Sequence, residues 1–188
     1  MRAIALLPAL LAATASAADA AAGERKAEVC VACHGNGGNS TNPGVPSLAA
    51  QPPLYIYYQL LQFREKRRVD AQMSPFAASF SDLDMQDIAA YFSAQPAPAA
   101  TQPADAEKNA AGKLVSDRNH CGSCHLQAYT GQNHIPRLAG QHYDYLVKQL
   151  RGFKTGARPD IDGTMASTAQ PLTEQDIESV ARYLSSLK

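Results

Sequence analysis

Four cysteines stand in two frames of one form, Cys30-Val31-Ala32-Cys33-His34 and Cys121-Gly122-Ser123-Cys124-His125. Thiols three residues apart on a helical turn share one face, so each pair can form thioethers with the two vinyl groups of a single porphyrin. The histidine directly after the second cysteine is then carried beneath the iron. Cys-x-x-Cys-His is the attachment frame of c-type haem, and the expectation is two covalently attached haem c groups. Cys30, Cys33, Cys121 and Cys124 would hold them, and His34 and His125 would ligate the irons. Zinc accounts for the frames less well. Zinc ribbons set their cysteine pairs about 15–20 residues apart, these pairs lie ninety-one apart, and zinc gives no reason for a histidine after each. A thioredoxin-like dithiol needs a strand-helix-strand setting, which neither frame has.

The remaining axial ligand separates a carrier from a catalyst, because an iron closed on both sides exchanges electrons while an open position binds substrates. The first frame's half of the chain contains one histidine, His34, so its second ligand is expected to be a methionine, Met73 or Met85. Met73 aligns with Met165 in the other half, whereas Met85 aligns with Ile177. Met73 and Met165 are therefore the expected ligands and Met85 a core residue. His120, His134 and His142 align with Val29, Gly44 and Pro52, so none has a ligand as its counterpart. His120 reads as helical, and His134 and His142 as exposed loop or helix-start residues.

Two pairs of supporting residues follow from the same chemistry. An iron-bound histidine donates its free ring N–H to an acceptor that fixes its orientation, and the carbonyls of Pro46 and Pro136 lie suitably downstream, unless these prolines only make turns. Arg67, Arg68 and Arg158 precede the methionines; they either pair with haem propionates, for which guanidinium is well suited, or form solvated helix ends.

The elements that must position these residues repeat. Pro46-Ser47-Leu48-Ala49-Ala50-Gln51 returns ninety positions on as Pro136-Arg137-Leu138-Ala139-Gly140-Gln141, and the same offset pairs Tyr55 with Tyr145, Gln59 with Gln149 and Phe63 with Phe153. After a two-residue insertion the offset is ninety-two, pairing Met73 with Met165, Asp84 with Asp176 and Tyr91 with Tyr183. Apolar residues at helical spacing follow Pro53 and recur from Tyr143. Ser81-x-x-Asp84 and Thr173-x-x-Asp176 are capping-box starts for closing helices, and a shorter helix is expected before each frame, from about Gly23 and Gly112. No stretch alternates as a strand does. Pro96, Pro98 and Pro103 mark a stiff linker. The chain reads as all-α, with a signal peptide at 1–17, domains at 18–95 and 106–188, and a linker at 96–105.

Met1 and Arg2, the apolar run Ile4–Ala13 and the small residues Ala15-Ser16-Ala17 have the three parts of a secretory signal, predicting export to the periplasm. The run is too short for a membrane span, which takes about 20 residues, so at most peripheral membrane association is expected. Lys+Arg and Asp+Glu are equal at 17 each, which excludes the basic surface that nucleic acid demands.

With two His/Met c-type repeats, the shared Pro-x-Leu-Ala-x-Gln element and the matching methionine-to-capped-helix segments, the chain resembles the dihaem cytochrome c4 family. The resemblance implies two class I cytochrome c-like domains in tandem, related by a pseudo-twofold axis with their haems facing each other. It implies an electron carrier, not an enzyme, that takes electrons from a quinol-oxidising complex and passes them to a terminal oxidase, often of the cbb3 type. A monomer is expected. The alternative is the haem subunit of a flavocytochrome-type dehydrogenase, whose two-domain plan is similar. The family often pairs an acidic first domain with a basic second. Here Lys+Arg against Asp+Glu is 6 to 8 over residues 18–95 and 10 to 9 over 96–188, a contrast of the right sign but small.

Overall fold

Each half of the chain begins and ends with a long helix, and those two helices cross. The computed structural model describes residues 17–188, so the signal expected at 1–17 falls, but for Ala17, outside the described residues. The first half contains α1 (Ala20–His34), α2 (Pro53–Arg64), α3 (Met73–Ala77) and α4 (Asp82–Ser93). The second contains α5 (Ala106–Arg118), α6 (Cys121–His125), α7 (Tyr143–Thr155), α8 (Thr164–Ala169) and α9 (Glu174–Ser185). Among the described residues extended pairing is limited to one isolated bridge, Gln132 to Ile135, and the fold is all-α as expected.

The opening helices start earlier than expected. Asp19 caps α1 by accepting from the amides of Ala21 and Ala22, and Asp105 caps α5 by accepting from Lys108. Gly23 and Gly112 lie inside these helices for a tertiary reason. A Cβ on Gly23 would stand 2.0 Å from the Asp87 carbonyl oxygen, and one on Gly112 would stand 2.1 Å from that of Ser179. The helix-weakening cost of glycine, about 1 kcal/mol, is outweighed by the close crossing of α1 on α4 and of α5 on α9. Pro53 at the start of α2 and the capping boxes Ser81/Asp84 and Thr173/Asp176 are as expected.

Two cores result. Ile56, Leu60, Met85, Ile88 and Phe92 fill the first; Val147, Phe153, Ile177, Val180 and Leu184 fill the second. Met85 and Ile177 occupy equivalent places and both are fully buried. The linker lies along the second half, where Thr101 N–H donates to Ser185 O (2.9 Å) and its hydroxyl to Gln141 O (3.0 Å).

The halves face each other through reciprocal contacts. The Gln51 side-chain amide takes both polar groups of Arg137, donating to its carbonyl and accepting from its N–H, each at 2.9 Å. Gln141 does the same to Ser47, again at 2.9 Å twice. Gln51 is the counterpart of Gln141, and Ser47 of Arg137, so residue i meets j′ while j meets i′, the signature of a twofold interface. All four residues are buried. The relation extends to the guanidiniums, since Arg68 bonds both Gln59 and Gln149 (3.0 Å to the latter) and Arg158 bonds Gln149 (2.8 Å) and Gln59 (3.3 Å).

Candidate functional site

One cavity of about 450 Å³ runs between the halves. Its wall includes Cys30, Cys33, His34 and Met73 from the first half and Cys124, His125 and Met165 from the second. Seven of the eight residues singled out by sequence thus share one space. Met85 is off the wall and in the core, in keeping with its expected role.

The two histidines are prepared alike. His34 lies at the C-terminus of α1 and its Nδ1 is 2.8 Å from Pro46 O; His125 ends α6 and its Nδ1 is 2.9 Å from Pro136 O. A carbonyl can only accept, so Nδ1 carries the hydrogen and Nε2 keeps its lone pair. Burial lowers the pKa of both rings, opposed by the bond to the proline carbonyl. The rings are therefore neutral imidazoles with a free nitrogen, the form a metal requires.

Each methionine is held by an aspartate that the sequence reading missed. Asp70 Oδ1 accepts from the Met73 amide (3.1 Å) and the Gln72 amide (3.0 Å), and the bond from Met73 is the largest cause of its lowered pKa. Asp160 Oδ2 accepts from Met165 N–H (2.6 Å) and Ala166 N–H (3.0 Å). Asp70 and Asp160 are ninety apart, which was the available signal. The inserted residues fall between Asp160 and Met165, around Gly163, whose φ of 79° suits glycine.

Cys121 departs from the pattern. His120 does not continue a helix; at φ 53° it breaks the chain between α5 and α6. Cys121 then packs on the second core, off the cavity wall. Burial pushes the Cys30 thiol up to about 11 and raises that of Cys121 as well. Among the described residues no group of three or more His, Cys, Asp or Glu is gathered to hold a metal.

His134 is exposed, as expected. His142 is not: it is buried and its Nε2–H donates across the interface to Ser40 O at 2.9 Å. Sequence gave no sign of this because its counterpart, Pro52, has no such group. Arg67 is exposed. Arg68 and Arg158 instead line the cavity, over the rings of Phe63 (4.6 Å) and Phe153 (4.4 Å), and the Arg158 Nε is buried without a partner. Buried Arg137 shares that wall. No carboxylate among the described residues forms an ion pair with any of the three. A largely apolar cavity with free thiols, neutral imidazoles and guanidiniums that have no carboxylate partner fits an apolar macrocycle bearing anionic arms.

This combination of fold and cavity defines a dihaem c-type cytochrome. Residues 109–188 match the family described as "Cytochrome c" and residues 17–92 the one described as "Cytochrome C oxidase, cbb3-type, subunit III". Cytochrome c4 of Thiocapsa roseopersicina is 40% identical over 179 residues, spanning 90% of this chain and 93% of the relative. The crystal structure of reduced recombinant cytochrome c4 from Pseudomonas stutzeri superposes with a TM-score of 0.84 at 34% identity, covering 92% of this chain and all of that one. A protein of Stutzerimonas stutzeri (strain A1501) named "Thiosulfate dehydrogenase electron acceptor" is 33% identical over 172 residues, spanning 86% of this chain and 80% of the relative. The chain belongs to the cytochrome c4 family. It is an electron-transfer protein with two covalently bound haem c groups.

Proposed function

We propose that this chain is a periplasmic shuttle that takes electrons from a quinol-oxidising complex, delivers them to a terminal oxidase and performs no substrate chemistry. Each haem, when bound, supplies one-electron exchange between Fe(III) and Fe(II). His34 and Met73 would hold the first iron, and His125 and Met165 the second. Thioethers to the porphyrin vinyl groups would be held at Cys30 and Cys33 and at Cys121 and Cys124. The domain limits are 18–95 and 106–188, with 96–105 between them.

The observation that carries this reading is the matched preparation of both axial sides. Each histidine is held by a proline carbonyl with Nε2 free, and each methionine segment by an aspartate. A site closed on both sides changes little between oxidation states, which suits repeated one-electron exchange. Arg68, Arg137 and Arg158, on the cavity wall with Phe63 and Phe153, would offset the charge of the propionates. No described helix is long and apolar enough to cross a membrane, compatible with at most peripheral attachment.

A second reading is the haem-bearing acceptor of a dehydrogenase, whether flavin-dependent as first expected or thiosulfate-oxidising; the similarity to the Stutzerimonas stutzeri acceptor favours it. Purification from native membranes and periplasm separates the two. The shuttle elutes as a lone monomeric chain and, once reduced, is oxidised by membranes containing a terminal oxidase. Stoichiometric co-elution with a dehydrogenase, with no oxidation by such membranes, overturns the first reading in favour of the second.

A further inference from the structure

The Pro46 carbonyl and the Ser47 N–H belong to one peptide group. His34 Nδ1–H donates to its oxygen at 2.8 Å, and its N–H donates to Gln141 Oε1, from the opposite half, at 2.9 Å. The second half repeats this with His125, the Pro136–Arg137 peptide and Gln51, at 2.9 Å for each bond. We propose that Gln51 and Gln141 are crossed positioning residues, each setting through a shared peptide the electron donation of the iron-bound histidine in the other half. The inference rests on the ligation by His34 and His125 proposed above.

The physical basis is peptide resonance. An acceptor on the N–H side draws the delocalised pair toward the carbonyl oxygen, which then accepts more strongly. A stronger bond from Nδ1–H makes the imidazole a better donor, and a better donor favours Fe(III). The site is dry: Ser47, Arg137, Gln51 and Gln141 are each buried to 7% exposure or less, so water does not replace a lost glutamine cheaply. The arrangement also lets one half sense how closely the other is seated.

The two relays are unequal. Gln141 Oε1 also accepts from its own neighbour, His142 N–H, at 3.1 Å. Gln51 is followed by Pro52, which has no N–H, so its oxygen serves Arg137 undivided. The relay onto the second half is the stronger.

The test is a redox titration of the holoprotein, with each midpoint assigned to its haem by hyperfine-shifted NMR signals. Gln141→Leu raises the potential of the first-half haem, shifting its Fe(III)/Fe(II) equilibrium about threefold, or ~28 mV at ~59 mV per tenfold change for one electron, and leaves the second-half haem in place. Gln51→Leu shifts the second-half haem instead, by more. Gln141→Glu keeps an acceptor on Ser47 N–H and returns the first-half haem to its original potential or below, which covers the case in which the leucine variant misfolds. Shifts in the same half as the substitution, equal shifts in both haems, or none in any variant overturn the proposal. Failure of the underlying ligation is seen separately: His34→Ala would then leave the first haem's low-spin spectrum intact.

Discussion

The two halves reach the same contacts on a histidine and a methionine over different backbones. In the first, α1 runs unbroken from the Asp19 cap through Cys30 and Cys33 to His34. In the second, the same span is cut at His120, and Tyr129 donates to or accepts from Ser116 at 2.8 Å beside the break. The spacing from histidine to proline carbonyl is twelve residues in one half and eleven in the other, yet the bonds are 2.8 and 2.9 Å. The methionine follows its aspartate by three residues in one and five in the other. What is held fixed is the pair of contacts on the histidine and the methionine, and the connecting chain varies around them.

That comparison can be broken where the halves are equivalent in place but not in residue. Met85→Ala empties a core position off the cavity wall and costs about 2–5 kcal/mol, against about 0.5–1.5 kcal/mol for Ile177→Val at the matching site; chemical denaturation measures both. The methionine-to-iron band is unchanged in Met85→Ala. Where the halves are the same, they respond alike. Gly23→Val and Gly112→Val each drive a side chain into a facing carbonyl, costing about 1–3 kcal/mol on thermal unfolding.

Acid behaviour sharpens the contrast. Lys26 pairs with Asp84 and Asp87 in the first half and is the main reason that Asp84 titrates at about 2. Because its folded pKa lies below the unfolded one, Asp84 contributes stability above the ordinary carboxylate value and loses it as pH falls from near 4 through about 2. Lys26→Met returns Asp84 toward the ordinary range, so the first half unfolds at a higher pH. Asp176 of the second half owes its lowered pKa first to the Thr173 amide and is unaffected. Carboxyl-carbon NMR titration follows both. The smallest effect is at the interface, where His142→Leu leaves Ser40 O without its donor and costs about 1 kcal/mol.

The fold and the histidines and methionines that share the cavity were legible in sequence because they are repeated: frames, proline carbonyls, methionines and capping boxes each appear twice at nearly constant offset. Asp70 and Asp160 share that offset but were passed over, since an aspartate in a loop looks like any turn residue until its acceptors are seen. His142 and the break at His120 were illegible for the opposite reason, as neither has a counterpart. Gly23 and Gly112 resemble helix starts because local propensity speaks before the partner helix is known, yet they lie inside α1 and α5. The linker's prolines predicted stiffness but not docking, which depends on Ser185 and Gln141, far along the chain.

The account stands on two irons, each bound by one histidine and one methionine. Its most direct test is the methionine-sulfur-to-Fe(III) charge-transfer band, followed through redox titration of Met73→Ala, Met165→Ala and the double variant. Each single substitution should remove roughly half of the band, one iron's share, and the double variant all of it. A band that survives in the double variant would contradict the account.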